Sequence, residues 1–187
     1  MFFITVDEEI RLQLVSETLA PRYLELLEES REYLSRWLPW TEFCNTEEGF
    51  RAFAKKSLHD YADGKSLTCA IEFQENVVGN ISLNTIRHDL KMVEVGYWLG
   101  EPYQGSGIIT RACRYLCHHA FNNLGMEKVQ ISAAEENLSS RAVCERLGMT
   151  LEGVISHREK VGDKVLSHAI YGLQRPEVVK QGLFRIS

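Results

Sequence analysis

The chain has 187 residues, 44% apolar and 25% charged, the balance of a globular protein long enough to bury a core without disulfide or metal staples. A net charge of −5 argues against nucleic acid as the principal partner, and there is no run of about 18 apolar residues to cross a membrane as a helix. The first residues lack the basic region and long apolar stretch of a secretory leader. The five cysteines (Cys44, Cys69, Cys113, Cys117, Cys144) make no regular framework, so reduced thiols in the cytoplasm are expected.

Taken in chain order, residues 11–14 read as a short strand. A helix follows over about 20–38, with Tyr23, Leu26, Leu27 and Leu34 on one face; Pro39 ends it. Thr46 opens a second helix that runs to about 62, where Asp63-Gly64 stops it. The period then changes to that of strands. Residues 67–73 and 77–86 form a hairpin through Gln74-Glu75-Asn76, and 91–99 is a third run rich in Val, Tyr and Trp. A helix over about 105–123 carries Ile109, Cys113, Leu116 and Ala120 on one stripe. Residues 128–134 are a further strand, and Asn137 caps a short helix that ends at Leu147-Gly148. Two last strands, about 150–161 and 165–173, flank the two-residue turn Gly162-Asp163. The central strand–helix–strand unit demands one parallel pairing, whereas the hairpins demand antiparallel ones. A mixed α/β sheet flanked by helices is therefore expected.

The most informative stretch runs from Gly96 to Ala112, where a strand enters a glycine-rich turn that opens an amphipathic helix. The first turn of a helix offers free N–H groups and the positive end of the helix dipole, and glycines let an anion approach that backbone. Gly105 and Gly107 lack the spacing of a dinucleotide fingerprint and the Gly-Lys-Ser/Thr of a P-loop. On their own they read better as a strand-to-helix turn without a ligand.

The flanking residues decide the matter. Gln104-Gly105-Ser106-Gly107 followed by Ile108-Ile109-Thr110 resembles the acetyl-CoA pyrophosphate loop of the GCN5-related N-acetyltransferases. More narrowly it is similar to the branch with the ribosomal-protein N-terminal acetyltransferases RimJ and RimL. Glu94-Val-Gly-Tyr-Trp-Leu99 resembles that branch's fourth strand. Asn137-Leu-Ser-Ser140 with Glu145–Gly153 resembles its fifth-strand-to-helix region, and Trp37-Leu-Pro-Trp40 an aromatic segment near its N-terminus. Ile109 departs from the usual Gly or Ala that closes the loop pattern, as this branch often does.

The resemblance implies one acyl-CoA N-acyltransferase domain over 1–187 with a splayed central sheet. Acetyl-CoA would be held by Gln104, Gly105, Ser106, Gly107, Ile108, Ile109, Thr110, Asn137 and Ser140, with its thioester on the backbone of Tyr97, Trp98 and Leu99. It implies Glu94 as general base and Ser140 as the hydroxyl serving the CoA sulfur. Cys144 stands where many members carry a tyrosine. Trp37 and Trp40 would wall the acceptor groove. Plainer readings exist for each: a solvated strand carboxylate, a first-turn cap, a buried thiol and core aromatics. Cys113, Cys117, His118 and His119 crowd one helix, but two of them fit its buried stripe, so no metal is expected. Transfer would be direct, to an amine acceptor such as a ribosomal-protein N-terminus, without nucleic acid or membrane; a homo-oligomer is compatible with this. Acetylation of a polyamine or aminoglycoside, or acyl-CoA binding without catalysis, are the rival readings.

Overall fold

The structure, a computed structural model, describes residues 3–175. Eight strands form one mixed sheet: β1 (Phe3–Thr5), β2 (Ile10–Leu14), β3 (Leu67–Phe73), β4 (Asn76–Arg87), β5 (Met92–Leu99), β6 (Lys128–Ala134), β7 (Thr150–Val161) and β8 (Lys164–Gln174). Their spatial order is β1-β2-β3-β4-β5-β6-β8-β7. Every neighbouring pair is antiparallel except β5 and β6. The exception follows from α3 (Ile108–Asn122), the crossover that a parallel pair requires.

Alternation along the strands divides the core into two layers. Val93, Val95 and Leu99 of β5, with Val129 and Ile131 of β6, pack under the apolar stripe of α3 and under Val143 and Cys144 of α4 (Leu138–Arg146). The opposite face of β5 presents Glu94, Gly96 and Trp98. There Trp98 meets Tyr23, Leu26 and Leu27 of α1 (Ala20–Leu34) and Phe50 and Ala54 of α2 (Glu47–Ala62). Tyr23 and Trp98 lie edge to face with ring centroids 5.4 Å apart, and Trp40 tilts against Trp98 at 5.6 Å. Such aromatic pairs add about 0.5–1.5 kcal/mol each beyond the area they bury. The second layer is thus thinner and more polar than the first, which leaves room for a cavity.

Beyond shifts of a residue, two helix boundaries and one strand differ from the sequence reading, each for a local reason. α1 stops at Leu34 instead of running to 38: Leu38 takes extended angles (φ −121°, ψ 105°) as the residue before Pro39 must. α3 starts at Ile108, not 105, because Gly105 and Gly107 hold φ of +79° and +71°, outside the helical region. The strand β1 was not expected. Its turn into β2 is closed by the Asp7 carboxylate, which accepts from the N–H groups of Glu9 and Ile10 at 2.9 Å each. Arg111 of α3 then pairs with Asp7 and Glu9, at 3.0 and 2.9 Å, and holds this edge down. No helix among the described residues is long and apolar enough to cross a membrane.

Candidate active site

The two central strands pair from Met92–Lys128 to Val95–Ile131 and no further. Both run on, β5 to Leu99 beside β4 and β6 to Ala134 beside β8. The sheet therefore splits between Gly96 and Ser132. The freed edge of β5 has a defined polarity. Gly100 donates its N–H to Val78 of β4 at 2.8 Å, so alternation turns the polar groups of Tyr97 and Leu99 the other way, into the split. The Leu99 carbonyl is there to accept from Gln104 Nε2 at 3.1 Å.

A cavity of about 670 Å³ lies along the α3 and α4 side of the split. Its floor is the loop from Gln104 to Gly107 and the first turn of α3. The first helical bond is Arg111 N–H to the Gly107 carbonyl at 3.1 Å, so the N–H groups ahead of it have no intrahelical acceptor. A Cβ built on Gly105 or Gly107 would meet nothing within 4 Å. These glycines are needed for their left-handed φ and leave open space over the backbone, not close packing. Arg146 of α4 donates from Nε to Thr110 Oγ1 at 3.2 Å and brings a guanidinium to the same rim. Free donors, a helix dipole, an arginine and open space together fit the pyrophosphate of an acyl-CoA. Ile108, Ile109 and Thr110 line this cavity with Gln104, Gly105 and Gly107, whereas Ser106 sits exposed at the loop tip and lines neither cavity.

A second cavity, about 880 Å³, opens on the α1 and α2 face. Trp37, Trp40, Phe43 and Phe53 wall it on one side, and a polar row crosses its floor: Thr68, Ser82, Glu94, Ser132, His168. Sheet parity puts this row on one face, since Thr68 pairs with Ser82, Ser82 with Gly96, and Ser132 lies two residues beyond Gln130, the partner of Glu94. Glu94 is half-buried, with Gln130 Nε2 at 3.5 Å as its nearest donor.

The two cavities share Trp37, Leu38, Tyr97, Trp98, Asn137 and Ser140, so they meet at the split. Asn137 accepts from the Ser140 N–H at 3.1 Å as the cap of α4, which turns the Ser140 hydroxyl toward the junction. That hydroxyl lies 2.9 Å from the Tyr97 hydroxyl. Burial, with Cys113 and Cys144 nearby, holds the Tyr97 phenol well above its ordinary value, so it stays protonated.

Cys144 corrects the sequence reading: it is wholly buried in the core and lines neither cavity. Burial pushes its thiol up to about 12. It belongs to the packing under α4 and cannot reach a ligand at the split. Cys113 and Cys117 are likewise wholly buried, and among the described residues no three His, Cys, Asp or Glu gather as a metal group would. The sequence reading missed the Tyr97 hydroxyl, Arg146 and the group formed by Ser132, Glu159 and His168. For the last there was no local signal to find.

Comparison with known proteins agrees with this geometry. Residues 9–150 match the family model described as an acetyltransferase (GNAT) domain. The Bacillus subtilis (strain 168) protein YdaF, whose name assigns it provisionally to the ribosomal N-acetyltransferases, is 34% identical over 154 residues, 82% of this chain and 84% of that protein. The ribosomal-protein-serine acetyltransferase of Escherichia coli (strain K12) is 30% identical over 160 residues, 86% of this chain and 89% of that protein. Among solved structures, the microcin C7 self-immunity acetyltransferase MccE in complex with acetyl-CoA and AMP superposes with a TM-score of 0.87 at 28% identity, over 91% of this chain and 95% of that one.

Proposed function

The chain belongs to the GNAT acetyltransferase family, whose members move acetyl from acetyl-CoA, and on that premise we propose that its acceptor is the α-amine of a protein or peptide N-terminus, in the cytoplasm. The observation that carries this is the split between Gly96 and Ser132, where a cavity fit for acyl-CoA meets a separate cavity of mixed polarity. The charged residues lining that second cavity are Glu94 and Glu159 against Lys56 and Arg158. Two of each sign suit a peptide end, with one ammonium among neutral amides. A polyamine would call for a surplus of carboxylates. Two relatives of this chain are named for ribosomal N-acetylation, which supports a ribosomal-protein N-terminus as the acceptor.

The chemistry needs three things from this site. The amine must lose a proton before it attacks the thioester carbon, because an α-ammonium of pKa about 7.7–8.0 is mostly charged at neutral pH. Glu94, on the acceptor side of the split, orders the water that receives that proton. The carbonyl oxygen gains negative charge as the carbon becomes tetrahedral. N–H groups of Tyr97 and Leu99 on the free edge of β5 stabilise it without rearranging. The C–S bond then breaks, and the hydroxyl of Ser140, backed by Tyr97, gives a hydrogen bond to the departing sulfur.

Release of free thiol from acetyl-CoA with a Ser-headed peptide, the same peptide already N-acetylated, and spermidine tests the acceptor. The expected order is rapid turnover with the free peptide alone, with one acetyl on its N-terminus by mass spectrometry. Preference for spermidine would overturn the peptide reading, and no turnover of any amine would favour an acyl-CoA-binding module. With the preferred acceptor, Glu94→Gln should lower kcat by about 10²–10⁴-fold at pH 7, and by less at pH 9.

A further inference from the structure

The acceptor cavity holds a buried group that the reaction described above does not use. His168 of β8 is only 8% exposed. Its Nδ1 lies 2.8 Å from Ser132 Oγ. Its Nε2 has no hydrogen-bond partner of good geometry, yet Glu159 Oε2 stands 3.3 Å away. Burying a polar nitrogen so nearly unpartnered costs free energy unless the partner engages in another charge state. A charged imidazole would draw Glu159 in.

The backbone is bent to bring Glu159 there. β7 and β8 pair at Ile155–His168 and resume at Glu159–Leu166, so three residues of β7 face one of β8. Within this bulge His157 holds φ of +53°, an unfavourable angle for a residue with a side chain. Glu159 returns to the sheet on the His168 face. Its side chain is 37% exposed, so one end of the group touches solvent. Ser132 occupies the other end. It is the residue after Ile131, where the pairing of β5 and β6 stops, so its hydroxyl stands at the mouth of the split on the acceptor side.

We propose that Ser132, His168 and Glu159 form a proton relay that carries the acceptor's proton from the split to solvent. It rests on the amine-acceptor reading. In the resting state His168 is neutral, with its proton on Nε2 toward Glu159 and its Nδ1 accepting from the Ser132 hydroxyl. As the amine approaches the thioester, the N–H bond of the ammonium breaks, and its proton passes through the ordered water to Ser132 Oγ. Ser132 gives its own proton to Nδ1. The imidazolium, held by the Glu159 carboxylate, passes its Nε2 proton to solvent. The second proton that nitrogen loses as the amide forms goes to the departing CoA sulfur, so one proton reaches solvent per acetyl transferred. Nitrogen keeps the electron pair that forms the new C–N bond.

An imidazole suits this role because its proton affinity lies within about 1.5 pKa units of an α-amine's, and its two nitrogens let it accept a proton at one end and release one at the other. Burial lowers the His168 pKa, Glu159 and Glu94 oppose that shift, and Arg158 adds to it. These are the charged groups facing it, from β7 and β5, with Lys56 of α2 across the cavity. His168 therefore stands neutral and ready to accept at physiological pH.

The test is the pH profile of kcat/KM for whichever of a Ser-headed peptide and spermidine the wild type acetylates faster. With the relay intact the ammonium form is usable, so the wild-type profile stays nearly flat for about a pH unit or more below the amine's own pKa. In Ser132→Ala and His168→Gln only the neutral amine reacts, and the rate should fall about tenfold per pH unit below that pKa. Acetyl-CoA affinity should be unchanged, and Ser132→Thr, which keeps the hydroxyl, should restore the flat profile. A merely structural loss would lower the whole curve without changing its slope. Parallel profiles for wild type and Ser132→Ala at equal thermal stability would overturn the relay, as would a Ser132→Thr enzyme with the Ala profile. A wild type that acetylates only spermidine would instead overturn the peptide acceptor and leave this comparison intact.

Discussion

Ser140 and Cys144 lie one helical turn apart, yet their environments assign them opposite work. Ser140 lines both cavities and shares a hydrogen bond with Tyr97. When the Tyr97 phenol donates to Ser140 Oγ, the Ser140 proton is left free for the sulfur, and its donor strength rises through the chain of two hydroxyls. A thiolate is already a tolerable leaving group, so the gain is modest. Ser140→Ala should lower kcat by about tenfold with acetyl-CoA affinity held, as expected where one hydrogen bond is lost mainly in the transition state. Tyr97→Phe should act in the same direction and less. Cys144→Ala removes a sulfur from a closed core site and should cost on the order of 1 kcal/mol of stability by denaturant melt, with kcat unchanged. A Cys144→Ala enzyme slower than Ser140→Ala at equal stability would reverse the assignment.

At the scale of elements, the turn into α3 is where the acyl-CoA pyrophosphate is proposed to bind, and glycine serves there twice over. Gly107 must hold φ +71°, and its missing Cβ leaves space where a phosphate approaches. Gly125, which closes α3, holds nearly the same angle, +67°, with the same open space. It lines neither cavity. The pair separates strain from binding. Gly107→Ala and Gly125→Ala should each cost about 1–2 kcal/mol of stability, the price of a left-handed angle for an L-residue. Only Gly107→Ala should weaken acetyl-CoA binding by calorimetry. Equal affinities would move the pyrophosphate away from this turn. The same element shows why the loop was legible in the sequence. Gln104, Gly105, Gly107 and Thr110 fall within seven consecutive residues, and a strand, a turn and an amphipathic stripe announce themselves locally. The hairpin at Gly162-Asp163 and the helix stop at Asp63-Gly64 were legible for the same reason. Ser132 and His168 are 36 residues apart, and only the pairing of β6 with β8 brings them together. Glu159 needs in addition a bulge that no turn signal in Ser156-His157-Arg158 betrays. β1 escaped notice because three residues, two exposed and one half-buried, carry too few alternations to register.

At the scale of the whole molecule the sheet divides, with a cavity on either side of the division, and this geometry suits a direct transfer within a ternary complex. On the proposed function acetyl-CoA and amine would enter from opposite faces and meet at the residues the cavities share. Nothing in that arrangement requires the first product to leave before the second substrate arrives. A ping-pong route would need a nucleophile at the split to carry the acetyl group. Cys69, Cys113, Cys117 and Cys144 are buried. Cys44 reaches the acceptor cavity, but from the aromatic wall, and burial raises its thiol pKa, which disfavours the reactive thiolate. Ser140 is tied to Tyr97, and Ser132 to His168 Nδ1. In the relay the Ser132 hydroxyl gives up its proton only as it gains another, so it never stands as an alkoxide. Initial rates measured against acetyl-CoA at several fixed amine concentrations should therefore give intersecting double-reciprocal lines. Labelled CoA should not exchange into acetyl-CoA when the amine is left out, since no acetyl-enzyme forms to receive it. Parallel lines together with that exchange would mean a covalent intermediate, and Ser132, a hydroxyl beside the split with a base at hand, would be the first position to examine for the acetyl group.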